Sequence, residues 1–335
     1  MLGYIGRRIL QSIPTLILIS ALLFFGMQLI PGGPLAAFAF ARGMSEAAKL
    51  AIIHQWGLDQ PVQVQYFKWL QSMVTGTWGT SFFLHRPVRE VILQKLPATL
   101  ILMVTAYLLQ QVIALPAGIV AAIRRYSFFD QFVTFFSYVG YSMPTFWLGL
   151  MLLLIFAVFI NVLPVAGVVD IRMTGAPFLT ADYNAWFGQH PIQGLLDIAR
   201  HIILPATTIA IVGIAGDSRF MRASMLDAIH QDYIRTARAK GLSERTVVLK
   251  HALRNALLPV VTNIAIEMPL LFSGAVVTEA IYSWPGMGQA FFQALEAYDY
   301  PLLMGILTVL AVLIVGFNVL ADVLYAYIDP RISYA

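Results

Sequence analysis

Side chains that could carry out chemistry are few in this sequence, and their spacing fits no common catalytic motif. The histidines are His54, His85, His190, His201, His230 and His251. No two of them stand four residues apart, as two ligands on adjacent turns of a helix would, so a metal site is disfavoured. Gly140-Tyr141-Ser142 offers a serine, but no histidine accompanies it within an apolar segment as a base.

A nucleotide-binding P-loop is absent as well. That loop needs Gly-Lys followed by Ser or Thr, because its backbone amides cradle phosphate while the lysine reaches the terminal phosphates. None of the five lysines follows a glycine. The chain is therefore predicted to have no catalytic residues, to bind no cofactor or metal itself, and not to be an ATPase.

Two carboxylates, Asp217 and Glu267, lie at or within strongly apolar segments. Ionisable groups in such segments are functional candidates, because a charge held in lipid is costly. Both are candidates for lining a pathway. Glu267 also lies between Pro259 and Pro269, so it could instead satisfy backbone groups that proline kinks leave without partners.

Composition indicates an integral membrane protein. The 335 residues are 59% hydrophobic and 11% charged, with a mean hydropathy of +0.77. A soluble domain carries about 25% charged residues. The net charge of +4 is too small to indicate a nucleic-acid partner, and the absence of cysteine excludes disulfides.

The apolar segments predict an all-α polytopic protein with six spans, because a transmembrane helix needs about 20 mostly apolar residues. The first span has an apolar length of 22 residues, longer than a signal-peptide core of about 7–15, so it is expected to be retained. The third is expected to be helical to about Asn161. The six predicted spans are residues 9–30, 98–123, 131–161, 202–221, 256–278 and 300–321.

Basic residues predict the orientation of these spans, since short loops rich in Lys and Arg stay cytoplasmic. Arg7 and Arg8 precede the first span, and eight basic residues lie from Arg219, at the end of the fourth span, to Arg254, before the fifth. The loop between the fifth and sixth has none. Both termini are therefore predicted to be cytoplasmic, with residues 31–97 and 162–200 outside.

The basic loop between the fourth and fifth spans contains the sequence DYIRTARAKGL, residues 232–242. Asp232 is predicted to cap a helix over residues 233–240, and Gly241 to end it in a left-handed conformation. Ser243 is predicted to cap the following helix. The result is a helix–Gly–helix corner with basic side chains on one face.

The other face of this corner is predicted to be apolar, with Met225, Ile229, Tyr233 and Ala237 at i, i+4 spacing. So narrow and alanine-rich a stripe suits a groove in another protein better than a lipid surface. The alternative is that the loop only fixes topology and contacts anionic lipid.

The segments Tyr233–Gly241 (YIRTARAKG) and His251–Pro259 (HALRNALLP) resemble the EAA loop of ABC importer permeases, in the dipeptide/oligopeptide/nickel branch. The resemblance covers nearly the whole chain. Arg235 stands where the general pattern has Glu, Thr236 and Ala237 occupy its two Ala positions, and Leu253-Arg254 replaces its terminal Leu-Pro. Further matching segments are Arg7-Arg8, Ile13-Pro14-Thr15, residues 31–34 (PGGP), residues 141–144 (YSMP), Ile203-Leu204-Pro205, residues 283–288 (SWPGMG) and Asp299-Tyr300-Pro301.

The resemblance implies the fold of a type I ABC importer permease, in the cytoplasmic (inner) membrane of a prokaryote, that moves short peptides inward. It implies partners as well: a second homologous permease, two ATPase subunits that hold ATP and Mg²⁺, and an external substrate-binding protein. Residues 1–30 would form the N-terminus and first span, 31–97 an external segment, and 98–335 the permease domain with its coupling loop at about 223–255. The implied coupling residues are Asp232, Tyr233, Arg235, Thr236, Ala237, Arg238, Lys240, Gly241, Leu253 and Arg254.

Two alternatives stay open. Within the same branch, the solute could be nickel, glutathione or another small molecule. From another class, an ion-coupled secondary transporter could use Asp217 or Glu267 as a proton site. No internal repeat relates the two halves of the sequence, which disfavours the inverted-repeat transporters.

Overall fold

A computed structural model describes residues 2–29, 53–54, 57–267 and 271–328, and it leaves out the side chains of 2–4, 264–267, 271–274 and 324–328. The described residues form helices and no strand beyond one isolated bridge between Thr80 and Pro87. The α-helices are α1 (Leu2–Gln28), α2 (Val62–Thr75), α3 (Val88–Ile123), α4 (Phe128–Ser142), α5 (Thr145–Leu152), α6 (Ile171–Thr174), α7 (Ala181–Gln189), α8 (Pro191–Ile229), α9 (Asp232–Ala239), α10 (Glu244–Thr246), α11 (Leu253–Glu267), α12 (Leu271–Ile281), α13 (Met287–Glu296) and α14 (Tyr300–Ile328). Two π-helical stretches, Leu153–Phe159 and Val247–Ala252, continue α5 and precede α11.

Four helices in the described part of the chain, α1, α3, α8 and α14, are long and apolar enough to cross a membrane. Helices α3 and α8 have 36 and 39 residues, more than the 20 or so that a span requires, so they extend beyond the predicted span limits. The predicted fifth span falls on α11 and α12, and residues 268–270 between them lie outside the described residues. Six spans therefore remain a prediction. The motif at residues 31–34 and the Glu267 side chain also lie outside what the structure describes.

The predicted third span is broken near its start, at Pro144. Helix α4 and the helix formed by α5 with its π-helical continuation meet at 106°. Pro144 causes the break, because proline has no N–H to donate and forces the preceding residue out of the helical region. Met143 is accordingly extended, at φ −82° and ψ 128°. The bent pair forms a fifth span if both arms cross together.

The chain divides into two compact units. Unit 1 comprises Met1–Pro97 with Pro285–Val319, and unit 2 comprises Ala98–Trp284 with Leu320–Ala335. In unit 1, buried Asp299 accepts hydrogen bonds from Ser81 Oγ at 2.5 Å and from the backbone N–H of Phe83 at 3.1 Å. It also caps α14 by accepting the N–H of Leu302. Asp299, part of the resemblance, thus has a structural role.

In unit 2, α8 packs against α4, α5, α11 and α12. The buried phenol of Tyr282 ties this packing together, because it donates to the carbonyl of Gly149 at 2.9 Å and hydrogen-bonds Thr208 at 2.9 Å. The fully buried indole of Trp284 donates to the carbonyl of Ala98. Helix α8 therefore connects two regions. The predicted helix–Gly–helix corner follows its C-terminal end, and the loop before Pro191 precedes its N-terminal end.

Candidate functional site

The corner, defined here as residues 231–256, has nearly the predicted local structure. Helix α9 runs from Asp232 to Ala239, so the N-cap is Gln231 and the prediction that Asp232 caps the helix is wrong by one residue. Asp232 instead lies in the first turn, where its negative charge favours the positive end of the helix dipole. Gly241 has φ +75°, the left-handed conformation predicted for it, and its N–H donates to the carbonyl of Arg238 at 2.9 Å.

An ion pair closes the turn after α9. The guanidinium of Arg238 donates to both carboxylate oxygens of Glu244, with the two N···O distances at 3.1 and 2.6 Å. These bonds lower the pKa of Glu244 and raise that of Arg238. Ser243 caps the next helix by accepting the N–H of Thr246, as predicted. The turn is thus held by a pair of charges, one on each side of Gly241.

Apolar side chains anchor the corner to its own chain. Ile234 is fully buried and Ala237 is 6% exposed, and both pack into a core cluster with residues of α8 and of the π-helical stretch. Tyr233 is 39% exposed, so it does not share the apolar face predicted for it, and Ile234 takes its place. That face packs against the chain's own helices, so the prediction that it suits a groove in another protein is wrong. A helical turn advances 3.6 residues, and the inward direction falls at 234 and 237. The buried members of the cluster are Ala122, Met221, Met225, Ala228, Ile234, Ala237, Val247, Val248, Ala252, Ala256 and Val260.

The side chains that remain exposed make the corner a basic surface. Leu253 is partly buried against the core cluster, whereas Arg254 is exposed. Thr236 is exposed, and its hydroxyl donates back to the carbonyl of Asp232 at 3.1 Å. The exposed basic residues of the corner are Arg235, Arg238, Lys240, Arg245, Lys250 and Arg254. Against them stand only Asp232 and Glu244, so the surface carries a net positive charge.

Asp217 lies inside unit 2 among amide groups. Its Oδ2 accepts hydrogen bonds from the side-chain amides of Gln110 at 2.7 Å and Gln111 at 2.5 Å. Its Oδ1 accepts one from Asn263 at 3.5 Å. The carboxylate is 2% exposed and joins α3, α8 and α11. Gly213 makes room for this arrangement, because a Cβ there would lie 2.1 Å from the Gln110 side chain. In this conformation the Asp217 carboxylate holds α3, α8 and α11 together by hydrogen bonds and does not line an open path.

A buried ion pair that the sequence did not reveal joins α4 to α8. Arg222 donates to both oxygens of Asp130, at 2.5 and 2.8 Å, and Asp130 is buried while Arg222 is partly exposed. Asp130 also accepts the backbone N–H of Tyr126. The signal that could have revealed Asp130 is its position three residues after Ser127, which caps α4. Arg222 lies five residues after Asp217 on α8, towards the corner.

The remaining predictions concern metal and a pathway. The structure contains no group of three or more His, Asp or Glu side chains that could hold a metal ion among the residues it describes. Glu267 ends α11, and only its backbone is described, so its pathway role stays a prediction. The histidines are not brought together.

Comparison with known proteins gives matches over the whole chain. Residues 114–334 match the family model "Binding-protein-dependent transport system inner membrane component", and residues 1–103 match "Binding-prot-dependent transport system membrane comp, N-term". The oligopeptide transport system permease protein AppB of Bacillus subtilis (strain 168) is 41% identical, over 100% of both chains. The dipeptide transport system permease protein DppB of Escherichia coli (strain K12) is 38% identical, over 100% of this chain and 99% of that protein. The di/tripeptide permease protein DppB of Pseudomonas aeruginosa (strain UCBPP-PA14) is 38% identical, with the same coverage.

Proposed function

Because this chain belongs to the family of inner membrane components of binding-protein-dependent transport systems, we propose that it is a permease subunit through which an ATP-driven importer moves short peptides. The relatives with the matches above are named for oligopeptides, dipeptides and di/tripeptides, and they match along their full length. We propose six spans with both termini in the cytoplasm. The partners would be a homologous permease, two ATPase subunits and an external substrate-binding protein.

The corner is the proposed contact with an ATPase subunit. Its basic surface would lie against the partner, with Tyr233, Arg235 and Thr236 exposed on α9 and Lys240 exposed at its C-cap. The buried side of the same helix packs against α8 and the start of α11. A push on α9 would therefore be passed to two membrane helices through close-packed side chains, which transmit strain because protein interiors are poorly compressible.

The observation that carries this proposal is the buried anchor of α9. A loop that only fixed topology would need basic residues, but it would not need Ile234 and Ala237 locked into a core shared with two spans. The enclosure of Asp217 by amides supports the same view, since a proton-coupled transporter needs its carboxylate within reach of water.

The test is uptake by the reconstituted complex. The chain is purified with the permease, ATPases and binding protein encoded beside it, and placed in proteoliposomes with a labelled dipeptide outside and ATP inside. Uptake that requires hydrolysable ATP and all partners supports the proposal. Uptake by this chain alone, driven by a proton or sodium gradient, would overturn it in favour of a secondary transporter. ATP-driven uptake of nickel or glutathione but not of peptides would overturn the substrate assignment alone.

A further inference from the structure

A polar pocket lies in unit 2 at the N-terminal end of α8. Its volume is about 820 Å³, within the range of about 300–1,000 Å³ that is usual for small-ligand sites. The walls come from the loop after the π-helical stretch, from the region around α6, and from the first turns of α8. The charged and titratable side chains that line it are Asp170, Arg172, Asp197, Arg200 and His201.

This pocket and the corner belong to opposite ends of the same helix. The stretch of α8 from His201 to Ile229 is roughly 42 Å long at about 1.5 Å per residue, and the hydrocarbon core of a bilayer is about 30 Å thick. With the corner in the cytoplasm, as proposed above, the pocket opens on the external side of the membrane.

A buried pair of side chains forms one wall of the pocket. His201 and Asp197 are each 8% exposed, and Asp197 Oδ1 lies 3.1 Å from His201 Nδ1. His201 Nδ1 also lies 2.9 Å from the backbone carbonyl of Asp197, while Asp197 Oδ2 accepts the N–H of Asp170 at 2.8 Å. Both contacts of Nδ1 are with acceptors, so it carries the ring proton. Nε2 then has no hydrogen-bond partner among the described residues.

Two guanidinium groups and one carboxylate complete the set. Arg172 and Arg200 are exposed on the pocket wall, and neither forms an ion pair with any residue that the structure describes. Asp170 is also exposed, and its Oδ1 accepts only the N–H of Arg172. The pocket therefore offers cationic donors and a separate carboxylate acceptor. A ligand with a negative and a positive end would satisfy both.

We propose that this pocket binds a short zwitterionic peptide. The peptide's terminal carboxylate accepts hydrogen bonds from the Arg200 guanidinium, with Arg172 nearby, and its terminal ammonium lies at the Asp170 carboxylate. His201 Nε2, an acceptor in this tautomer, accepts an N–H of the peptide. The assignment of a peptide rests on the proposed function, whereas the demand for two opposite charges comes from the pocket itself. The site is where a peptide first contacts this chain before it enters the membrane.

The experiment measures binding to the full-length chain in lipid nanodiscs, by calorimetric titration with dialanine and with its C-terminal amide. Dialanine is expected to bind about tenfold or more tightly than the amide, because the amide loses a charge-assisted hydrogen bond. Arg200→Gln should weaken dialanine binding by a similar factor and abolish most of the preference over the amide, since both changes remove one interaction. His190→Gln, exposed in the same segment but outside the pocket, is the matched control and should change neither affinity.

Equal affinities for dialanine and its amide, or dialanine binding unchanged by Arg200→Gln, would overturn the proposal. The comparison of two ligands on the unaltered chain needs no variant to fold. Uptake assays on the same proteins separate this proposal from the proposed function. If peptide uptake is driven by ATP but dialanine and its amide bind equally well, the pocket proposal is overturned and the proposed function stands. If dialanine binds more tightly than its amide but no ATP-driven uptake occurs, the pocket proposal is supported and the proposed function is overturned.

Discussion

The two ends of helix α8 differ in how they place charged and apolar side chains. At its C-terminal end, the corner turns charged side chains outward and buries small and branched apolar residues beneath them. At its N-terminal end, the pocket has a buried, hydrogen-bonded histidine–aspartate pair in one wall and charged side chains of both signs around it. A surface with solvated charges suits contact with another protein, whereas a pocket with donors and acceptors on its walls suits a small ligand. We therefore propose that one helix serves two kinds of recognition.

The contrast between the two ends of α8 predicts that the corner depends on rigid support from α4. The variant with the largest expected effect removes that support. Asp130→Leu leaves Arg222 without its carboxylate and should destabilise the chain by roughly 3 kcal/mol, the lower end of the cost of breaking a buried ion pair. Thermal unfolding in detergent, followed by tryptophan fluorescence, measures this loss. The double variant Asp130→Leu/Arg222→Met should recover most of it. Asp182→Leu, at an exposed site on α7, is the control. A stable Asp130→Leu protein would mean that the pair supports nothing.

A matched pair of alanines separates the two faces of α9. Ala237 is buried in the core cluster, while Ala239 is exposed on the same helix. Ala237→Trp should overfill the core and cost about 1–3 kcal/mol in the isolated chain. Ala239→Trp should leave the stability of the isolated chain unchanged and reduce co-purification of the ATPase subunits. If Ala239→Trp assembles normally while Ala237→Trp unfolds, the basic face is not the docking surface.

The turn after α9 depends on a glycine. Gly241→Val places a β-branched residue at φ +75°, which should cost about 1–2 kcal/mol and misdirect the following helix. Gly241→Asn should cost less, because asparagine tolerates the left-handed region. Hydrogen exchange of the backbone amides at residues 238–246 measures the effect locally. Equal exchange in all three proteins would show that the left-handed turn is not needed.

The smallest effect comes from the ion pair that closes the same turn. The pKa of Glu244 is lowered in the folded chain, so its contribution is present above the ordinary pKa of glutamate and is lost as the pH falls through the lowered value. The raised pKa of Arg238 has no consequence at neutral pH. Both side chains are largely exposed, so the contribution should stay below about 1 kcal/mol. Exchange at residues 238–246 should quicken at acid pH in the unaltered chain. Glu244→Gln, already lacking the carboxylate, should show no such step.

Much of the corner could be predicted from the sequence because its signals are local. The glycine at the end of α9, the serine cap and the basic face each follow from residues within a few positions. The facing of Tyr233 and Ile234 could not be predicted, since it depends on the break at residue 230 that resets the helical phase between α8 and α9. Counting at i, i+4 spacing from Met225 across that break therefore assigned Tyr233, and not Ile234, to the apolar face.

Most of the other differences between the sequence-based predictions and the structure involve contacts between residues far apart in the chain. The pairing of Asp130 with Arg222 and the amides around Asp217 join residues about a hundred positions apart, and no periodicity in a single sequence encodes such a pairing. The pocket could not be predicted for the same reason, because its charged residues come from separate parts of the loop before α8 and from α8 itself. Pro144 is a local signal of a break near the start of the third span, but nothing in the sequence indicates the angle of 106° between the two arms.

The most direct test of the central claim is to cross-link the corner to an ATPase subunit. The chain contains no cysteine, so Thr236→Cys on the exposed face of α9 creates a unique attachment site for a short photoreactive cross-linker. Gln189→Cys, exposed just before α8 at the opposite end of that helix, provides the matched control. In the assembled complex, Thr236→Cys is predicted to cross-link to the ATPase with a yield that changes on ATP binding, while Gln189→Cys does not. Cross-linking of Gln189→Cys but not Thr236→Cys to the ATPase would contradict the assignment of the corner.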